Sequence, residues 1–190
     1  AAVLATHLLA VGFFQIGKSD IDQFADIAVI AMLIQETERT FLNTPFFIQH
    51  ELDTSLVDSY IAIEADSLEA AEYGTFVLKN ASPVFNTPVI SMFYPIYNGT
   101  KDRVVIIIYS SEELSDSFSS GSTNLSFFIN NEGEILIHPD ISLMMDAADV
   151  SKSYLVQQMA DSKTSNSQIT YKEDEAEYIG AFKKFSNGNG

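Results

Sequence analysis

Three histidines, at positions 7, 50 and 138, are the only imidazoles in the chain, and there is no cysteine. None of the three stands in an HxxxH or HExxH spacing, so no pair shares one helical face around a zinc ion. Without thiolates the chain has no closed ligand set for zinc or iron; no metal site and no cofactor is assigned, with carboxylate-bound calcium left open for so acidic a chain. His138 lies in His138-Pro139-Asp140, where an imidazole has loop backbone to hydrogen-bond. Motifs that expose a nucleophile or cradle a phosphate are missing: there is no G-x-S-x-G, no P-loop and no G-x-G-x-x-G. Acidic neighbours such as Glu112/Glu113 and Asp174/Glu175 sit in turns or at helix starts, where carboxylates favour the macrodipole and solvent. No catalytic residue is assigned, and the domain is not expected to be an enzyme. What remains is binding. Asn80, Ser82, Phe85 and Tyr94 bring amide, hydroxyl and aromatic groups close to turn positions of a strand-rich stretch, a mixture that lines small-molecule pockets. They are the candidate ligand-binding residues.

Charge narrows the partners. With 26 acidic against 10 basic residues among 190, the formal net charge is −16. A field of that sign repels phosphate backbones and anionic headgroups, which excludes nucleic acid and peripheral membrane binding. The composition, 46% hydrophobic and 19% charged, is that of a globular chain. No stretch reaches the roughly 18 to 20 uninterrupted apolar residues that span a bilayer. The start at Ala1 reads as an excised segment, with any membrane contact made by flanking segments.

The elements that must position the candidate residues follow from periodicity. Val3, Leu4, Leu8 and Val11 at helical spacing, stopped by Gly17, predict a helix over 3–16. The dense apolar run 27–34 predicts a buried strand. Thr44 as cap and Pro45 at the first helical position predict a helix to about Leu52. A short helix carrying Leu56, Ile61 and Ile63 follows, then a helical stretch over 66–72 ended by Gly74. Three strands, 75–78, 88–97 and 103–109, then form an antiparallel meander with turns at 80–83 and at Asn98-Gly99. Consecutive apolar positions in the third imply cover on both faces, most simply by the earlier helices. A helical turn over 111–118 leads into a linker at 119–123. Beyond it, strands 125–129 and 134–137 flank a hairpin turn in which Gly133 takes positive φ. A helix over 151–160 and strands 168–172 and 177–185 complete a small antiparallel α+β unit.

Residues 80–85 (NASPVF), 127–140 (FFINNEGEILIHPD) and 168–171 (QITY) leading into 178–184 (YIGAFKK) resemble, in that order, the double Cache sensor domains of bacterial receptors. The middle stretch is similar to the signature that opens the membrane-proximal lobe of that family. The resemblance implies an α+β fold in which an N-terminal helix, residues 1–19, is followed by two PAS-like lobes with antiparallel sheets. The membrane-distal lobe would cover 20–118 and the membrane-proximal lobe 119–190. That second lobe would be truncated, one strand short, and therefore the less stable part or completed by a neighbouring chain. The family's role is that of a periplasmic or extracellular ligand sensor in a transmembrane signal-transduction receptor. The wording looks most like spirochaete-type adenylate or guanylate cyclases, with chemoreceptor or histidine kinase outputs, or a ligand-free dimerisation module, as alternatives. The implied partners are an unidentified small molecule and a second copy in a homodimer. The turn departs from the family in carrying Asn130-Asn131 where aspartate is usual. The Arg-Trp-Tyr-Asp constellation of amino-acid-binding members cannot be present, because the chain has no Trp and its only arginines are Arg39 and Arg103.

Overall fold

The first unit is a five-stranded antiparallel sheet in the order β2-β1-β5-β4-β3, from β1 (Val29–Ile34), β2 (Arg39–Leu42), β3 (Val77–Asn80), β4 (Val89–Ile96) and β5 (Arg103–Ser110). The computed structural model of the protein describes residues 29–34, 39–96, 103–119, 125–173 and 175–185. The helix expected over 3–16, the turn at Asn98-Gly99 and, apart from Ser119, which ends a helix, the linker expected at 119–123 lie outside them. The meander β3-β4-β5 forms as the periodicity implies, and the apolar run before Gln35 is a strand.

Between β2 and β3 run α1 (Thr44–Gln49), α2 (Leu56–Ile63) and α3 (Ala65–Glu72). α1 is capped by Asn43 rather than Thr44: its side chain accepts from Phe46 N at 3.3 Å while its Nδ2 donates to Val29 O at 3.2 Å. A threonine hydroxyl has no second, separate arm with which to do both. Gly74, at φ +87, ends the helical pair. The strand expected over 75–78 is displaced to Val77–Asn80, and the expected turn after it is a short helix, α4 (Ser82–Phe85).

Alternate residues of β4 and β5 serve different surroundings. Val89, Phe93, Val104, Ile106 and Ile108 join Phe47, Val57, Tyr60, Ala71 and Phe85 in one buried cluster beneath the helices. Met92, Val105 and Ile107 are buried on the opposite face with Val29. Among the described residues, α1, α2 and α3 therefore cover one face only. At one end of the other face Ile90 meets Leu136 and Ile137 of the second unit, with Leu78, Tyr109 and Phe128 around them.

After α5 (Glu112–Ser119) the second unit comprises β6 (Phe128–Ile129), β7 (Ile135–Ile137), α6 (Ser142–Met145), α7 (Tyr154–Asp161), β8 (Asn166–Glu173) and β9 (Ala176–Lys183). Its strands form two separate two-stranded ladders, β6-β7 and β8-β9. Among the described residues the two ladders are not joined into one sheet. Gly133 has φ +86, and a Cβ there would stand 2.7 Å from Ser151 Cα. Both the turn and the close chain crossing thus require glycine. α7 lies on one face of the β8-β9 hairpin: a Cβ on Gly180 would meet Leu155 Cδ1 at 2.7 Å, and Tyr154, Tyr171 and Tyr178 stack in series with ring centroids 5.2 and 5.5 Å apart. The other face of that hairpin, including Ile179, is exposed.

This contrast sets local stability. β5 is bonded on both edges and apolar on both faces, whereas β8-β9 is a lone pair of strands leaning on one helix, an arrangement marginal by itself. Amide hydrogen exchange should be slower throughout β5 than in β8 and β9. Equal or stronger protection in the hairpin would show that it belongs to the same cooperative unit as the sheet.

Candidate functional site

Asn80, Ser82 and Phe85 come together, but as structure beneath the surface. Ser82 Oγ donates to Val89 O at 3.1 Å and accepts from Val89 N at 3.0 Å, tying α4 to the start of β4. Asn80 Oδ1 accepts from Ser82 N at 2.9 Å, and Asn80 Nδ2 donates to Met144 O of α6 at 2.6 Å. Phe85 is fully buried, edge-on to Tyr60 at 5.8 Å. Tyr94 projects from the opposite face of the sheet, against Phe76 at 6.0 Å. The structure therefore joins three of the four, and places all four apart from the cleft described next.

That cleft, about 290 Å³, is lined by Ile63, Glu64, Asp66, Ser67, Ala70, Val77, Lys79 and Glu132. Its walls come from both units: α2, α3 and β3 on one side, and the β6-β7 turn on the other. Lys79 Nζ donates to Glu132 across the mouth, with the ammonium tucked in and the carboxylate largely exposed. Burial pushes the Lys79 ammonium down, but the hydrogen bond to Glu132 and the negative charge of Glu132, Glu134 and Glu64 outweigh it and hold its pKa above the usual lysine value. Glu64, on the wall formed by α2, α3 and β3, accepts from Ser67 Oγ at 2.6 Å. Such a lining suits a small, polar molecule carrying positive or mixed charge.

Behind the cleft the two units are laced together. β3 is an edge strand, and its outward groups need partners. Leu78 O accepts from Asn130 Nδ2 at 3.1 Å, and Asn80 N donates to Glu134 Oε2 at 3.2 Å. Asn130 also donates to Glu134 Oε2 at 2.8 Å, and its Oδ1 accepts from Glu132 N and Glu134 N, both at 3.0 Å. One amide thus closes the turn with its oxygen and reaches the neighbouring unit with its nitrogen. Burial is the main cause that raises the Glu134 pKa above the usual carboxylate value; the Asn80 N–H and Lys79 oppose it, while Glu64 and Glu132 add to it.

The His138-Pro139-Asp140 stretch contributes from beneath. His138 Nδ1 accepts from Asp140 N at 2.9 Å, and Asp140 Oδ1 accepts from Ser142 N at 3.1 Å and Ser142 Oγ at 2.7 Å. Those bonds hold the fully exposed Asp140 carboxyl below its usual pKa. They set α6, and with it the Met144 carbonyl that receives Asn80. His50 stacks on Phe46, ring centroids 4.1 Å apart. Among the described residues no three His, Cys, Asp or Glu side chains gather as a metal site.

Glu64, Asp66, Lys79 and Glu132 were not among the residues the sequence singled out. Lys79 and Glu132 are 53 positions apart, and the signal at hand was a lone charge within an otherwise apolar strand end. No family model matches the chain, and no curated protein matches it in sequence.

The double use of Asn130 makes a sharp test. Asn130→Asp keeps the acceptor and loses the donors to Leu78 O and Glu134, setting a carboxylate against both. It should destabilise the protein by about 1 to 3 kcal/mol, whereas the neighbouring Asn131→Asp should change little. Equal denaturation midpoints for the two variants would remove Asn130 from its role in the joint.

Proposed function

We propose that this chain is the extracytoplasmic ligand-sensing portion of a transmembrane signalling receptor, two PAS-like lobes of the double Cache type that control a cytoplasmic nucleotide cyclase as a homodimer. Among the described residues no helix is long and apolar enough to cross a membrane, so anchoring would be the work of other segments. The observation that carries the reading is the charged cleft whose walls are shared between two units. A sensor needs a ligand to bind one arrangement of its parts better than another, since only differential affinity shifts an equilibrium. A molecule bridging Glu64, Asp66 or Lys79 on one wall and Glu132 on the other would contact both units at once. The antiparallel sheet with helices inserted between its second and third strands, followed by a smaller α+β unit, is in keeping with that architecture.

A second reading, a ligand-free module that dimerises the receptor, has its own support. The region around Asn80, Ser82 and Phe85, where a pocket is expected from sequence, is filled by protein, with Tyr60, Phe85 and Phe93 among the largest fully buried side chains.

A thermal-shift screen of small polar metabolites separates the two. A ligand at 100 times its dissociation constant adds about 2.7 kcal/mol to unfolding, and Lys79→Ala should abolish the shift for a molecule held in the cleft. A shift that survives both Lys79→Ala and Glu64→Gln would move the site elsewhere. No shift from any compound class would leave the ligand-free module as the better reading.

A further inference from the structure

Three tyrosines meet on the side of the β8-β9 hairpin that faces α7. Tyr171 and Tyr178 stand directly opposite one another in the ladder, so both side chains leave the strands on the same face. Their ring centroids are 5.5 Å apart and their planes are inclined by 23°. Tyr154 of α7 stacks on Tyr171 at 5.2 Å and 29°. Tyr154 and Tyr178 are each 46% exposed, while Tyr171, in contact with both, is half-buried. Gly180 lets Tyr171 lie close against β9, since a Cβ there would stand 3.1 Å from Tyr171 Cε1. Other tyrosines have different neighbours. Tyr60 is buried edge-on to Phe85 with its hydroxyl bonded to Ser91 Oγ, Tyr94 packs on Phe76, and Tyr73 is 80% exposed. Among the described residues, tyrosine rings touch one another in this series alone.

From this geometry we propose that Tyr171 and Tyr178 form an oxidative coupling site, at which a one-electron oxidant of the peroxidase or metal-complex class joins the two rings as dityrosine. Each phenol gives one electron to the oxidant and its hydroxyl proton to water, so two equivalents of oxidant are each reduced by one electron. The two phenoxyl radicals pair their electrons in a new carbon–carbon bond between a Cε of one ring and a Cε of the other. The hydrogen on each bonded Cε then moves as a proton, by way of water, to the phenolic oxygen of its own ring, which restores both aromatic rings and both hydroxyls. The net change is the loss of two protons and two electrons. Proximity selects the pair: coupling needs two radicals in contact, and the ladder holds these rings at an effective concentration that encounters between dilute molecules do not reach. Tyr154 arrives from a helix rather than from the neighbouring strand, and serves as a second exposed entry point, because an oxidised Tyr154 takes an electron from the Tyr171 ring stacked on it. The new bond ties β8 to β9 in a hairpin that otherwise leans on one helix, so the tie falls where the fold is least braced.

Brief illumination of the dilute protein with ruthenium tris(bipyridyl) and persulfate, followed by isolation of the monomer, tests the site. The monomer should show dityrosine fluorescence and a mass lower by two hydrogens. Tryptic cleavage after Lys152, Lys163, Lys172 and Lys183 puts Tyr154, Tyr171 and Tyr178 on separate peptides, and the bridge should join the peptides that carry Tyr171 and Tyr178. Tyr171→Phe and Tyr178→Phe each keep a ring in the stack, and each should lose this product, whereas Tyr154→Phe and Tyr73→Phe should retain it. A monomer that keeps its mass, a bridge on any other pair, or a product that persists in Tyr171→Phe overturns the proposal.

Discussion

An edge strand with unsatisfied backbone groups is the constraint around which the two units are arranged. β3 pairs with β4 on one side only, so Leu78 O and Asn80 N point away from the sheet. Covering them with another strand would have extended the sheet. Instead the β6-β7 turn supplies two side chains, Asn130 and Glu134, that complete these bonds at fixed positions. The second unit is thereby held in one register against the first, which apolar contact alone does not specify.

Apolar burial provides the cohesion that those bonds direct. Ile90, Leu136 and Ile137 are buried together at the joint, and fully removing such side chains from water contributes roughly 1.5 to 3 kcal/mol each. The polar layer lies closer to the surface, where Asn80, Glu134 and Lys79 meet. Asn80 joins β3, α4 and α6 through a single side chain, and Ser82 continues the series of bonds to Val89 at the start of β4.

Much of this architecture is legible in the residues themselves. The Val, Ile, Phe and Tyr content of β4 and the apolar run in β5 give the meander, Gly133 gives the hairpin turn, and the amphipathic run 151–160 gives α7. β2 escapes notice because Arg-Thr-Phe-Leu is too short to show a period. α4 escapes because Asn-Ala-Ser-Pro at 80–83 signals a turn as well as a helix start. Asn80 and Ser82 stand out as polar residues beside aromatic ones, and the structure does give them connected roles. Their hydroxyl and amide groups are used up on Val89 and Met144, however, and no local pattern distinguishes a polar residue that binds backbone from one that meets solvent. The cleft is illegible for a different reason: Lys79 and Glu132 are neighbours only after the second unit has docked. Asn130 is legible only as a turn residue; its role in the joint depends on an amide that can donate to Leu78 O and Glu134.

Where β1 enters the sheet, its ladder and its core count residues differently. Val29 pairs with Tyr109 and Ala31 with Ile108, leaving Ile30 as a supernumerary residue in the pairing, yet its side chain is wholly buried beneath the helices. The carbonyls on either side of this irregularity do not go unused: Asn43 takes Val29 O with its side chain and Ile30 O with its backbone N–H at 2.9 Å. The same Asn43 starts α1. A bulge is thus clamped by a helix cap, so the phase in which the chain feeds into the sheet and the direction in which α1 departs are fixed by one residue. Lengthening or shortening the chain by one position here would leave the remaining strand pairs intact and still misalign the helix above them, a sensitivity that strand register alone would conceal.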